Sequence, residues 1–597
     1  MEPVVLVRLN QAANSKLPII LAGLVMKGCV YCALPVAFPI ERIAHIAQTV
    51  GMAAIVCHSS HASSLESIGV RIISVDTMVM VHSVPAVSAY LWRAVHAGDI
   101  EYMVHTSGTT GKPKTVAISQ GSSAAMLQGV CSEMAIPLDK CDVLLQTAAT
   151  TFDPHVFQIL APLSMGGKVV MLRPENPLSD PEYLLDVIHN HHVTSVEMVP
   201  SVAALMIEIL NHKPQLQGCV SSLRSFVLGG EAVPFELVAA FEAICGESTI
   251  IHGVYGPAEC TDSISSHHLR SDQLGVEISP LGFPLPGRIC RVTTPFGSVC
   301  PDGLHGELYI GGIGVMEGYV GSPDLTQKAL VTISDEVFYR SGDRVCVRDG
   351  DRAIEYHGRV DFQIKIRGQR LEPLEIEKTV ESVEGVERAV VMKEGHTERL
   401  VVFVKGSARA VNIVEASLRE VCVRTLPSYM VPSVFVIVDS FALNANGKID
   451  RKALLAQAMS LSSESLEDVV DIDSLSPIAR QVNAIWTDAV QSACPVSMST
   501  SFFDLGGNSL SLARVHMRLA REVAGYNLKL SDLYSVTSIS HLLSKLDTAS
   551  EGSSEMTELK GEFRSQSVLS LSQERILFHD IVLRGQKGYG LYTQSYS

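Results

Sequence analysis

The chain has 597 residues, of which 47% are apolar and 18% charged, and its formal net charge is −16. That length suggests three to five domains, with ample apolar material for their cores. The negative balance argues against a nucleic-acid or anionic-membrane surface as the main partner, while local anion sites stay open. The early apolar run Leu17–Met26 is too short to span a bilayer and lacks the flanks of a secretory signal. Cys29 and Cys32 form one Cys-x-x-Cys with no second pair following. They read as buried free thiols rather than a metal site, in a reducing cytoplasmic setting.

Residues 1–356 alternate strand-like apolar runs with helical patterns. Ser195–Val199, Leu223–Leu228 and Leu308–Ile310 each adjoin a Gly-rich turn, which predicts α/β layers. Within this part, Tyr102–Lys114 (YMVHTSGTTGKPK) predicts a short strand feeding a loop of small hydroxyl residues, glycines and lysines. Such a loop can wrap a triphosphate, because hydroxyls and backbone N–H groups point at oxygens and lysine adds charge. It is not the Walker loop, since Gly111-Lys112 is followed by Pro113. Residues 357–455 form a smaller α+β unit. Ala389–Met392 and Leu400–Val404 are its strands, and Val411, Val414, Leu418 and Val421 share a helical face that ends near Pro427. Residues 456–474 are a Ser-rich acidic linker. Residues 475–547 read as a compact helical unit. Its stripes are Ile478, Val482, Ile485, Trp486 and Val490, then Leu510, Leu512, Val515 and Leu519, then Ile539, Leu542, Leu543 and Leu546. A second polar linker, 548–566, precedes a final segment, 567–597.

Several stretches stand out along the chain: Met26–Arg42, Thr106–Lys114, Phe152-Asp153, Tyr255–Glu259 (YGPAE), Gly306–Tyr319, Tyr339–Asp343 (YRSGD), Gly358–Glu377, Leu426–Pro432 and Asn446–Arg451. In the helical unit, Ser501–Leu510 (SFFDLGGNSL) adds a serine behind a Gly-Gly turn. Together they resemble the adenylate-forming superfamily, specifically the adenylation domain of a nonribosomal peptide synthetase followed by a peptidyl carrier. The resemblance implies a multidomain α/β fold. A large adenylate-forming α/β domain is followed by a small α+β C-terminal subdomain and then by a helical carrier bundle. Leu569–Asp580 looks like the opening of a condensation domain, cut short at 597, and the large domain looks incomplete at its start.

The implied reaction activates an amino acid with ATP as an aminoacyl-adenylate, then transfers it to a phosphopantetheine thiol on the carrier. Both first reactants are anionic, so charge repulsion and positioning dominate the barrier. By resemblance, Lys448 is the catalytic lysine that bridges the carboxylate and the developing adenylate charge. Glu259 holds Mg²⁺ against the phosphates. Thr106, Ser107, Gly108, Thr109, Thr110, Gly111 and Lys114 cradle phosphate. Tyr255 stacks on adenine beside Gly256, Gly229 and Gly230, and Asp343 takes the ribose hydroxyls with Arg359 nearby. Asp361 is the hinge of a small-domain rotation. One pose presents Lys448, and the other presents Gln363–Gln369 and opens a tunnel for a thiol. Ser509 carries the phosphopantetheine arm. Implied partners are the amino acid, a phosphopantetheinyl transferase and neighbouring condensation domains or synthetase modules, with neither nucleic acid nor membrane among them.

Some motif positions depart from the family pattern. Thr115 stands for a glycine, Gln120 for a histidine, Ala258 for a threonine and Glu317 for an arginine. They leave open an alternative in which a degenerate adenylation domain only scaffolds a carrier loaded in trans. By resemblance, Asp153 holds the substrate's α-ammonium, and Pro154, Phe157, Glu197, Val227, Gly229, Val254, Asp262 and Ser263 line the side-chain pocket. Two carboxylates in an otherwise apolar pocket are costly unless the ligand neutralises them. They point to a side chain carrying a cation. If one of them turns to solvent or is protonated, a small or hydroxylated neutral amino acid fits instead.

Overall fold

The computed structural model describes residues 4–8, 16–36, 38–76, 94–106, 113–133, 138–173, 178, 180–246, 249–271, 280–294, 297–361, 363–366, 369–394, 399–406, 415–441, 449, 454, 475–490, 495–503, 505, 507, 509–523, 526, 528–533, 536 and 538–550. Two seven-stranded sheets organise the large domain. In one, Val4–Arg8, Val30–Ala33, Met52–Cys57, Arg71–Ser74 and Ile100–Thr106 run parallel. Lys114–Ser119 pairs antiparallel with Ile100–Thr106. Thr106 and Lys114, which flank the expected phosphate loop, are register partners; residues 107–112 lie outside the described residues.

In the other sheet, Lys168–Met171, Val143–Gln146, Ser195–Met198, Ser225–Leu228 and Ile250–Tyr255 run parallel. Ser265–Leu269 and Phe283–Pro284 extend it antiparallel. Every residue of Ser195–Met198 and Ser225–Leu228 is buried, as strands covered on both faces require. Val196, Phe226 and Leu228 enter one core cluster, and Val227 enters the other. Glu197 is the register partner of Val227, so its side chain shares the face of Val227. The predicted strands shift slightly at their ends. Val199 leaves the strand to cap the helix Pro200–His212, and Leu223 and Arg224 precede theirs.

A five-stranded antiparallel sheet follows, built from Arg288–Thr293, Gly306–Gly312, Leu330–Ile333, Glu336–Val347 and Ile354–Arg359. The small unit opens with the hairpin Ile364–Ile366 and Gln369–Leu371 and the helix Pro373–Glu381. Its sheet joins Val386–Glu394, Arg399–Gly406 and Val434–Val438. Strand residues alternate between two clusters, Val391, Val402 and Val404 in one and Val390, Val401 and Phe403 in the other. The helix Glu415–Thr425 buries Leu418; Val411 and Val414 lie outside the described residues.

The C-terminal helices are Pro477–Ala489, Ser509–Glu522, Leu530–Leu533 and Ile539–Ser550. Ser476 caps the first, its hydroxyl accepting the Ala479 N–H at 3.2 Å. Trp486 meets Phe502 edge-on at 5.1 Å in the core of this bundle. Ile478, expected on the buried stripe, is exposed instead. It sits in the first turn of the helix. Arg514 pairs with Glu208 at 3.3 Å and Arg399 Nη1 donates to the Leu505 carbonyl at 3.1 Å, tying the bundle to the rest of the chain. No helix among the described residues is long and apolar enough to cross a membrane.

Candidate active site

One short segment, Tyr255–Ser263, organises the site. Tyr255 ends its strand, and Gly256 then packs against the carbonyl of Asp262 so closely that a Cβ would overlap it. Only glycine lets the segment fold back there. The Tyr255 hydroxyl donates to Asp343 Oδ2. Arg359 Nη1 donates to Asp343 Oδ1 at 2.9 Å, and its Nε and Nη2 reach Asp361 at 2.6 Å each. Asp343 and Arg359 face one another across antiparallel strands. Burial opposes the Arg359 charge, but Asp361 and Asp343 outweigh it and raise its pKa. On the other side of Tyr255, Gly229 follows the strand Ser225–Leu228, and a Cβ there would stand 2.8 Å from Val254 Cγ2. Gly230 comes next, with a φ of 79°. The residues expected around a nucleoside are thus gathered at one end.

Glu259 lies deeper, almost wholly buried. Tyr319 donates its hydroxyl to Oε1 at 2.8 Å, and Arg370 Nη1 donates to Oε2 at 3.1 Å. Burial raises the Glu259 pKa, but Arg370, then Tyr319 and Lys114, bring it below the ordinary value, so it is ionised at neutral pH. Arg370 also donates from Nε to Gln363 Oε1 at 2.7 Å and from Nη2 to the Tyr339 hydroxyl at 3.3 Å. Lys114 Nζ reaches Glu372 Oε1 at 3.3 Å and lies 5.5 Å from the Tyr319 ring centre. Lys365 Nζ stands 5.7 Å from the Tyr255 ring centre. The hairpin Ile364–Leu371 therefore covers the site with Lys365 and Arg370. Sequence reasoning gave Arg370 no role and included Lys365 only within the Gln363–Gln369 stretch expected at the site in the second pose. Their signal lay in strand periodicity, which says which way a residue points but not which domain it will meet.

The third part is the pocket. Asp153 caps the helix Pro154–Met165, with Pro154 in its first turn, and accepts the Asp262 N–H on Oδ2 at 3.0 Å. Glu197 is buried, and Gln158 Nε2 donates to its Oε2 at 3.0 Å. Asp262 is buried, holds a φ of 62° and accepts the Ser263 hydroxyl at 3.4 Å. Phe157 and Val227 are packed in the adjoining core, with Val254 against them. Neither Glu197 nor Asp262 turns to solvent. Burial raises Asp153 to about 6, Glu259 adding to the effect. Burial likewise raises Glu197 to about 7, opposed by Gln158. Asp262 is pushed well up by burial, then by Glu197 and Asp153. Arg288, missed in the sequence, is buried beside this cluster. Among the described residues its Nη1 and Nη2 have no hydrogen-bond partner, and its charge acts on Asp262.

Ser107, Gly108, Thr109, Thr110, Gly111 and Lys448 lie outside the described residues. Thr106 ends its strand with a buried hydroxyl that has no partner among the described residues. Ile449, next to Lys448, packs on the second face of the small sheet. Ser509 begins the helix Ser509–Glu522. The segment 567–597 is likewise outside the described residues.

Known proteins resemble this chain in sequence and fold. A family model described as AMP-binding enzyme covers residues 12–320, AMP-binding enzyme C-terminal domain covers 375–448, and phosphopantetheine attachment site covers 480–546. A plipastatin synthase protein of Bacillus subtilis (strain 168) is 28% identical over 572 residues, 94% of this chain and 21% of that protein. Tyrocidine synthase 3 of Brevibacillus parabrevis is 32% identical over 506 residues, 83% of this chain and 7% of its own length. The chain thus spans about a fifth or less of these curated relatives. Among solved structures, an NRPS protein containing adenylation and PCP domains, bound to a vinylsulfonamide inhibitor, superposes with a TM-score of 0.75 at 23% identity. That match covers 92% of this chain and 89% of the other. A Vibrio cholerae adenylation domain in complex with glycyl-adenosine-5'-phosphate gives a TM-score of 0.65 at 23% identity, covering 77% and 89%. These two likenesses speak for the fold. The first family model alone matches more than half of the sequence, and the chain belongs to the AMP-binding enzyme family, with that family's C-terminal domain and a phosphopantetheine attachment site following in order.

Proposed function

We propose that the chain activates an amino acid as its adenylate and loads it onto a phosphopantetheine arm at Ser509. One observation carries this reading. The segment Tyr255–Ser263 lines up Tyr255 with Asp343, Glu259 with Tyr319 and Lys114, and Asp262 with Asp153. A nucleoside, a phosphate chain and an α-amino group would then lie along one path.

In the first half-reaction a substrate carboxylate oxygen bonds to the α-phosphorus of ATP, and the bond to the pyrophosphate leaving group breaks. Asp153 orients the ammonium, Asp343 and Arg359 hold the ribose end, and Lys448 balances the charge gathered at phosphorus. In the second, the arm's sulfur bonds to the acyl carbon and AMP leaves with the bonding pair. Glu259 is an ionised carboxylate with hard oxygen donors and so fits Mg²⁺, which supplies charge neutralisation on the phosphates when bound. Arg370 holds the same carboxylate in the described arrangement, so Glu259 is open to a dication once the Ile364–Leu371 hairpin withdraws. With Lys365 and Arg370 over the site, the described arrangement suits the second half-reaction.

The pocket favours a cationic side chain. Arg288 and the substrate's α-ammonium offset two of the three carboxylates Asp153, Glu197 and Asp262. One negative charge remains for a side-chain ammonium or guanidinium, bound by charge-assisted hydrogen bonds. The raised Asp262 pKa favours a second reading, in which a proton takes that place and a neutral polar side chain binds. Further proposals are a cytoplasmic location, loading of Ser509 by a phosphopantetheinyl transferase, and neighbouring synthetase modules that begin with a condensation domain at 567–597. Domain limits are proposed at 1–356, 357–455 and 475–547. A scaffold with a degenerate site is the weaker account, because Asp153, Glu259 and Asp343 are all present and held together. Amino-acid-dependent pyrophosphate exchange separates the two: ornithine, lysine or arginine should support it, and no exchange with any amino acid would leave the scaffold.

A further inference from the structure

Away from the active site, two strands of the five-stranded sheet and the residue before a third bring soft and borderline donors together. Cys346, on the strand Glu336–Val347, faces Glu355 across the register with Ile354–Arg359. His357 stands two residues beyond Glu355, on the same face. His305 directly precedes the strand Gly306–Gly312, whose first residue pairs with Val345. Cys346 Sγ lies 3.2 Å from His357 Nε2 and 3.6 Å from Glu355 Oε2. Glu355 Oε2 lies 3.6 Å from His357 Nε2. The rings of His305 and His357 meet edge-on, 4.2 Å between centres. One ligand atom from each of His305, Cys346 and His357 falls within a 4.8 Å span.

We propose that His305, Cys346, His357 and Glu355 form a structural site for a borderline divalent cation, with Zn²⁺ as its natural occupant. A tetrahedral zinc with Zn–S near 2.3 Å and Zn–N near 2.0–2.1 Å sets neighbouring donors roughly 3.3–3.7 Å apart. The separations around Cys346, His357 and Glu355 already fall close to that range. One thiolate, two imidazoles and one carboxylate suit zinc and are poor for Mg²⁺ or Ca²⁺, which select oxygen. His305, Cys346 and His357 bring three donors within the 4.8 Å span, and Glu355, whose Oε2 already lies 3.6 Å from Cys346 and His357, would swing in as the fourth and close the shell, the pattern of a structural rather than a catalytic zinc. The thiol is buried while both imidazoles are exposed, so an ion can enter from solvent and end on sulfur. Arg348, the nearest cation on Glu355, meets only Oε1, at 3.5 Å, and is itself bound to Asp351. The site would clasp the strands just beyond Asp343 and just before Arg359, bracing both residues without touching substrate.

The test uses the full chain, stripped of metal, reduced and titrated with Co²⁺. One equivalent should raise a thiolate-to-cobalt charge-transfer absorption, which Zn²⁺ then abolishes. Cys346→Ser should lose that absorption, and His305→Ala, at an exposed position, should weaken Co²⁺ and Zn²⁺ binding by at least about tenfold. Zn²⁺ should also raise the thermal midpoint of the parent and leave that of Cys346→Ser unmoved. Absence of the absorption in the parent overturns the proposal. So does its full survival in Cys346→Ser, which would move the ion to other thiols, or unchanged affinity in His305→Ala.

Discussion

Glu197→Gln probes the pocket through both stability and specificity. The substitution keeps size and shape, and the Gln158 Nε2 bond, 3.0 Å in the parent, still finds an acceptor oxygen. What it removes is a buried charge. Burial raises the Glu197 pKa from 4.5 to about 7. At about 1.4 kcal/mol per pH unit, ionising it in the ligand-free fold costs on the order of 3 kcal/mol. The folded pKa lies above the unfolded one, so the folded state holds the proton more tightly. That stabilisation is complete below about pH 4.5 and is lost as pH rises through about 7. The parent's thermal midpoint should therefore fall between pH 5 and pH 8 by a few degrees more than that of Glu197→Gln, and the variant should be the more stable at pH 8. The same change removes a partner for a cationic side chain. Pyrophosphate exchange with ornithine, lysine or arginine should weaken by about tenfold or more, as for a charged hydrogen bond worth roughly 1.5–3 kcal/mol. Identical pH dependence in parent and variant would refute the buried-charge argument. Strong exchange with leucine or phenylalanine, and none with the basic amino acids, would refute the cationic pocket.

Lys448→Ala should abolish pyrophosphate exchange while the thermal midpoint stays near the parent's, because the lysine acts only where carboxylate meets α-phosphate; exchange at the parent's rate removes the assignment. Ser509→Ala should gain no phosphopantetheine mass when treated with CoA and a phosphopantetheinyl transferase; a mass gain in that variant would leave Ser509 as a helix-opening residue alone. Arg370→Ala should slow thioester formation at least about tenfold and exchange much less, since removing one partner strands the buried Glu259 charge, a loss of up to roughly 3–5 kcal/mol; an equal effect on both half-reactions would deny Arg370 its place in the second pose. Exchange with a basic amino acid should lose affinity as pH falls below about 7, where Glu197 takes up its proton; a KM unchanged from pH 8 to pH 6 would exclude Glu197 from binding the side chain.

The layers of the large domain were legible because parallel strands buried on both faces read as unbroken apolar runs, as in Ser225–Leu228. Strand ends were less so: Val199 is as apolar as its neighbours, and only the following Pro200 hints that a helix begins there. The site residues on the large domain followed from motifs whose spacing survives in the chain. Lys365 followed only as part of the Gln363–Gln369 stretch, and Arg370, Glu372 and Arg288 did not follow at all. Each owes its position to a contact across more than a hundred residues or to a strand register, and a charged residue on a strand carries no local mark of its partner. Arg288 reads in sequence as one more surface cation after a Pro-Gly turn; folding buries it beside Asp262. The cluster at His305, Cys346 and His357 was hidden for the same reason, since its donors come from two strands and the residue before a third and form no spaced motif.

The most direct test of the central claim is the intact mass of the phosphopantetheine-loaded chain after incubation with Mg·ATP and a mixture of amino acids. The account predicts one added aminoacyl group, a basic one, carried as a hydroxylamine-labile thioester and absent in both Ser509→Ala and Lys448→Ala. A chain that carries the arm yet gains no aminoacyl mass from any amino acid would contradict it.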